Sequence, residues 1–171
     1  ISPEESPALS LLGNKLNFID LKKLNLKDIK TNISFDKGKV SVAPFTVKYQ
    51  DIDISLGGTH SIDQVMDYKA KFNVPAKYLG KEVTGLLTKL DASNNNMMVP
   101  VIANLSGNFT NPSVKTDLKS AVSNLTTQLV KQQKTKLVNN ALGNLLGSKK
   151  EDGKATSTKS TISNTVGNLL N

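Results

Sequence analysis

Few residues in this sequence have the type and spacing to do chemistry. His60 is the one histidine of the 171-residue chain, and it lies in the stretch Gly57-Gly58-Thr59-His60-Ser61-Ile62-Asp63. General-base and metal-ligand roles both need partners held at fixed short distances. No such partner is spaced around His60, so it reads as a solvated turn residue. Asp51 and Asp53 form an Asp-x-Asp pair, which places two carboxylates on one face of a strand and suits a hard divalent cation. Ile52, Ile54 and Leu56 alternate with them, so the simpler reading is that the acids mark a solvent face. Cysteine is absent, which removes disulfides and thiolate metal sites. There is no Gly-x-Ser-x-Gly nucleophile turn, and Gly57-Gly58 lacks the lysine and helix start of a phosphate loop. Tyr49, Tyr68 and Tyr78 read as rim or core residues. These residues predict no catalytic set, no metal site and no cofactor, and point toward a binding or structural protein rather than an enzyme.

The charge narrows the partners. The net charge is +8, and all 22 basic residues are lysine. Planar, bidentate readout of phosphates and guanine favours arginine, and base stacking needs aromatic platforms. The chain has no arginine, no tryptophan and 5% aromatic residues, so no specific nucleic-acid partner is expected. Diffuse lysine suits an anionic membrane surface better. Between positions 116 and 150, one acid, Asp117, faces six lysines. Lys131, Lys134, Lys136, Lys149 and Lys150 are the candidates for headgroup contact, each worth roughly 1 kcal/mol near such a surface. The alternative is an ordinary solvated helix face.

The elements that would position these residues follow from periodicity. Residues 38–76 alternate apolar and polar side chains: Val40 and Val42, then Phe45, Val47 and Tyr49, then Ile52, Ile54 and Leu56, then Tyr68, Ala70, Phe72 and Val74. A period of two marks strands with one apolar face. Turn signals at Ala43-Pro44, at Gln50-Asp51 and at Gly57-Gly58 with its polar loop divide the stretch into four short strands. Before it, Pro7 opens a short helix over 7–16, and a strand is predicted over 25–35 with a bulge near Lys27-Asp28. Asp36-Lys37-Gly38 is a hairpin turn. After it, an amphipathic helix over 76–91 is weakened by Gly80 and Gly85, and residues 93–96 form a polar loop. A strand through Val99 and Val101 follows, which Pro100 pushes toward a sheet edge. Next come a turn at Asn111-Pro112 and a strand with Val114 and Thr116. A long helix occupies 118–146, with breaks predicted near Gln132-Gln133 and at Gly143.

Residues 148–160 read as a polar linker. The tail over 162–171, Ile-Ser-Asn-Thr-Val-Gly-Asn-Leu-Leu-Asn, is a near-copy of positions 138–147. The expected fold class is α+β: a curved antiparallel β-meander, a half-barrel or groove, covered by amphipathic helices and followed by a long C-terminal helix. Residues 1–147 form the domain, and residues 148–171 form a flexible linker with a short amphipathic tail. No apolar run approaches the roughly 18 residues of a membrane-spanning helix. The chain begins with Ile1, so it reads as a processed product or a piece of a longer protein.

The order Gly38-Lys39-Val40, Pro44-Phe45, Gly58-Thr59, Met66-Asp67-Tyr68 and Val74-Pro75 resembles the C-terminal region of the AsmA family. Gly107, Phe109, Pro112, Val114 and Asp117 continue it, so that the resemblance spans roughly residues 7–147. Gln64-Val65 departs from it, standing where a glycine is usual. The resemblance implies a protein on the periplasmic face of a diderm cell envelope, anchored in the inner membrane through a segment upstream of this chain. It also implies a β-groove that holds acyl chains and takes part in outer-membrane assembly and lipid homeostasis. On that reading, Ile33, Phe35, Val40, Val42, Phe45, Val47, Ile52, Ile54, Leu56, Phe72, Val99 and Val101 form the groove or core face. The partners would be phospholipid acyl chains or a membrane surface, with envelope proteins beside them. The competing expectation is a structural or protein-interaction module that uses its sheet edges and C-terminal helix.

Overall fold

The computed structural model describes residues 6–25, 27–90 and 96–147. They fall into two compact units, one up to Leu129 and one from Val130 onward. The first unit is built on an open antiparallel sheet of six strands in sequence order: β1 (Ile33–Asp36), β2 (Lys39–Tyr49), β3 (Ile52–Ser61), β4 (Val65–Pro75), β5 (Met98–Asn108) and β6 (Asn111–Thr116). Its helices are α1 (Pro7–Lys15), α2 (Lys81–Leu87) and the part of α3 (Leu118–Gly147) up to Leu129; the rest of α3 is the described part of the second unit. The class is therefore α+β, a curved antiparallel meander with helical cover and a long C-terminal helix.

The turns explain why each strand stops where it does. Lys37 and Gly38 both have positive φ (46° and 77°), the backbone of the two-residue turn whose twist matches its flanking strands. The β3–β4 loop has three residues, and its last, Gln64, sits at φ 67°. That left-handed position favours glycine. At the β5–β6 turn, the Asn108 carboxamide oxygen accepts from the Thr110 amide at 3.0 Å and its hydroxyl at 2.8 Å. The bend is therefore at Phe109-Thr110, and Asn111-Pro112 already belongs to β6.

Residues 38–76 make three strands rather than four. Ala43-Pro44 is a β-bulge within one continuous β2: Val42 pairs with Gly58 and Phe45 with Leu56, so two residues oppose Gly57 alone. Pro44 is tolerated because a bulge leaves its position outside the ladder. The Ala43 amide donates to the Asn32 carbonyl at 2.9 Å, and the Thr31 hydroxyl donates to the Ala43 carbonyl at 2.7 Å. Gly57-Gly58 is likewise strand, and β3 runs on through His60.

Elsewhere the predicted 25–35 strand shrinks to β1. A 3₁₀ turn at Leu21–Lys23 and an irregular stretch with Asp28 at φ 63° precede it. Gly80, at φ 111°, divides the predicted 76–91 helix into a 3₁₀ turn, Ala76–Tyr78, and α2. Pro100 pairs with Asn73 of β4, but the β6 ladder stops at Ala103, so β5 is locally an edge where the proline sits. α3 is continuous through Gln132-Gln133 and Gly143. Of the loop predicted over 93–96, residues 93–95 lie outside the described residues, as does everything from 148 onward.

Burial follows the registers. Ile52, Phe72, Val74, Val101 and Ala103 are almost fully buried on one face of the sheet. Val83 and Leu87 of α2, one helical turn apart, pack into the same core. α1 is capped by the Ser6 hydroxyl, which accepts from the Leu9 amide at 3.4 Å, and has Pro7 in its first turn. It buries Ala8 and Leu12 and runs beside β6. Leu118, Ala121, Val122, Leu125 and Leu129 of α3 complete the core.

Replacing Gln64 by glycine is expected to stabilise the protein by about 0.5–1 kcal/mol, because it relieves a left-handed L-residue while adding some unfolded-state freedom. Urea unfolding checks this through an increased midpoint at unchanged slope.

Candidate functional site

Cross-strand registers place the whole predicted apolar set on one face. Ile33 opposes Val42, which opposes Gly58; Phe35 opposes Val40, which opposes His60. Phe45 opposes Leu56, Val47 opposes Ile54, Ile54 opposes Phe72, and Phe72 opposes Val101. Val74 opposes Val99, and Ile52 is two residues from Ile54 on the same side. The other face carries Lys48, Asp53, Ser55, Lys69, Lys71 and Asn104 and faces solvent.

The apolar face is covered unevenly. At the α2 end, Ile52, Phe72, Val99 and Val101 are core; Phe72 is 1% exposed and meets Phe18 edge-to-face at 5.9 Å between ring centroids. In the middle, beneath α1 and the segment that follows it, lies a cavity of about 240 Å³. Phe45, Val47, Ile54, Leu56 and Phe72 line its sheet side. Leu9, Leu12, Leu21, Leu24 and Ile29 line its cover. Toward β1, no described residue covers the face: Val40 and Val42 are half-buried, and Ile33 and Phe35 are 55% and 78% exposed. One apolar surface thus passes from core, through a cavity, to an open margin.

Sequence reasoning missed part of this site. Met66, Leu105 and Phe109 also line the cavity, as do Tyr68 and Ala70, which the alternation puts on the apolar face but which the groove set omits. His60 is not a solvated turn residue. It is a half-buried strand residue on the apolar face, with Nδ1 2.9 Å from the Tyr68 hydroxyl and its ring edge-on to Phe109 at 5.4 Å. Its parity with Ile54 and Leu56 is the available signal, hidden when Gly57-Gly58 is read as a turn. Burial pushes the Tyr68 hydroxyl above the ordinary phenol range, which keeps it protonated.

The glycines make this arrangement fit. A Cβ on Gly57 would lie 2.9 Å from Pro44 Cα, and one on Gly58 would lie 2.6 Å from Tyr68 Cα and 2.8 Å from Tyr68 Cδ1. The Tyr68 ring therefore lies across a strand position with no side chain, which lets its hydroxyl reach His60 on the neighbouring strand.

The other predicted residues separate. Asp51 is in the β2–β3 turn and pairs with Lys77 at 2.9 Å, while Asp53 on β3 pairs with Lys48 at 3.5 Å. The hydrogen bond from Lys77 holds the Asp51 carboxyl below its usual range. Among the described residues, no group of three or more His, Cys, Asp or Glu side chains is placed to hold a metal ion. Lys131 and Lys134 are exposed on α3 about one turn apart, but Lys136 falls on a different side of the helix. Lys149 and Lys150 lie outside the described residues.

Gly58→Ala is expected to cost about 1–3 kcal/mol, because the methyl overlaps backbone as well as the Tyr68 ring. Urea unfolding gives the loss, and the imidazole signals of the single histidine report the displaced tyrosine; wild-type values for both would refute the packing described. Compared with known proteins, the chain matches no family model, no curated protein and no solved structure.

Proposed function

We propose that this chain is a non-enzymatic lipid-handling module of the cell envelope, whose apolar β-groove takes up acyl chains during outer-membrane assembly and phospholipid transfer between membranes. The observation that carries this reading is the continuous apolar face, which runs from the cavity under α1 to the uncovered margin at Ile33 and Phe35. A monomer that needed only a core would gain by burying Phe35, since full burial of such a side chain is worth roughly 1.5–3 kcal/mol. Leaving it exposed beside a cavity suits a surface that receives an apolar ligand. Each acyl methylene transferred into the groove contributes about 0.8 kcal/mol, so a chain is held without specific polar contacts and remains free to slide. The resemblance to the AsmA C-terminal region supports the same function. It also supports a place on the periplasmic face of an inner membrane, reached through an upstream anchor.

A second reading has its own observation. β1 is four residues long, has a strand neighbour on one side only among the described residues, and exposes Phe35. Such an edge accepts a strand from another envelope protein, which site-specific crosslinking from position 34 would capture.

The test of the lipid reading is extraction. The protein is incubated with phosphatidylglycerol–phosphatidylethanolamine vesicles and re-isolated, and its lipid is measured by mass spectrometry. Ala70, buried in the sheet centre and lining the cavity, is replaced by leucine to fill that space. Wild type is expected to retain lipid, and Ala70→Leu to lose most of it while its stability stays within about 2 kcal/mol of wild type. Lipid-free wild type, or equal retention by both, would overturn the reading.

A further inference from the structure

The cavity has a size and a polar landmark that together narrow its ligand. An apolar protein cavity of roughly 150 Å³ accommodates one benzene; by that proportion, a cavity of about 240 Å³ accommodates about ten carbons. That is room for a stretch of one acyl chain. Ser6 and Tyr68 are the hydroxyl-bearing residues of the cavity lining; the Ser6 hydroxyl caps α1, and the Tyr68 hydroxyl is hydrogen-bonded to His60. His60 and Tyr68 stand at the end of the cavity away from α2, where Phe109 is 38% exposed. Tyr68 and Phe109 line the cavity, and His60 packs against both rings. The Tyr68 hydroxyl occupies Nδ1 at 2.9 Å. When the Tyr68 hydroxyl donates that bond, the ring proton sits on Nε2, which has no hydrogen-bond partner among the described residues.

We infer that His60, positioned by Tyr68, anchors the anionic headgroup of a lipid whose acyl chain enters the cavity. About ten carbons of that chain fill the cavity, and an anionic head oxygen, of a carboxylate or a phosphate, accepts from His60 Nε2. The inference rests on the lipid-groove reading and adds to it a site for the headgroup oxyanion. The polar pair sits where the covered part of the groove gives way to the open margin, so a chain inserted toward Phe72 leaves its head beside the imidazole.

Three ten-carbon probes test this: decanoate, decyl phosphate and decyltrimethylammonium, the last with a head that cannot accept a hydrogen bond. Binding is measured by calorimetry with wild type, His60→Phe and Tyr68→Phe. The Hε1 and Nε2 signals of the single histidine are followed by NMR. His60→Phe is expected to weaken decanoate or decyl phosphate about tenfold, the loss of one charge-assisted hydrogen bond, and to leave decyltrimethylammonium unchanged. Tyr68→Phe keeps the ring that covers Gly58 and is expected to weaken the anionic probe several-fold. The anionic probe that shifts the imidazole signals in wild type identifies the head as carboxylate or phosphate. Binding of all three probes with no change in either variant overturns the anchor while leaving the groove standing. Binding of none of them to wild type overturns the groove reading itself. Should His60→Phe fail to fold, the anchor is decided by Tyr68→Phe and the wild-type imidazole shifts.

Discussion

The inward side chains of β2 depend on the two-for-one register at Ala43 and Pro44. Before the bulge, the inward positions are Val40 and Val42; after it, they are Phe45, Val47 and Tyr49. Without the extra residue, one set or the other would point to solvent, because a slip of one residue turns a strand over. The bulge is possible because Gly57 offers no Cβ to Pro44, and Gly58 offers none to Tyr68. A short run of small residues thus keeps a single apolar face across six strands and also sets an aromatic hydroxyl beside the lone histidine.

What that face becomes is decided by how far the helices reach. α2 and the preceding 3₁₀ turn seal one end, with Val83 and Leu87 fully packed. α1 and the loop after it cover the middle but leave space beneath. Nothing among the described residues covers Ile33 and Phe35. The graded cover is what separates this sheet from an ordinary core, in which volume is filled to crystal-like density. The proposed lipid role draws on that gradient and not on any reactive group.

Much of this architecture was legible in the sequence because period-two alternation is a strong signal, and the groove-face residues it marked do share a face. Local ambiguity hid the rest. A parity change at Ala43-Pro44 is equally the mark of a turn or a bulge, and only the partner strand distinguishes them. Two adjacent glycines suggest a loop, yet here they are strand positions cleared for neighbouring groups, so His60 was assigned to solvent. Ile29 falls within the strand that alternation predicts over 25–35, but with Leu21 and Leu24 it covers the sheet from a 3₁₀ turn and an irregular segment whose left-handed Asp28 no pattern announces. Gln132-Gln133 are good helix formers and do not break α3, and the single weak residue Gly143 is outweighed by the propagation of the rest.

The central claim is that an acyl chain occupies the space between α1 and the sheet. Intermolecular nuclear Overhauser effects between a carbon-13-labelled fatty acyl chain and the methyl groups of the protein test it most directly. The account predicts contacts from chain methylenes to Leu12, Val47, Leu56 and Leu105, which line that space from both sides. Contacts restricted to the exposed Ile33, or none at all, would contradict it.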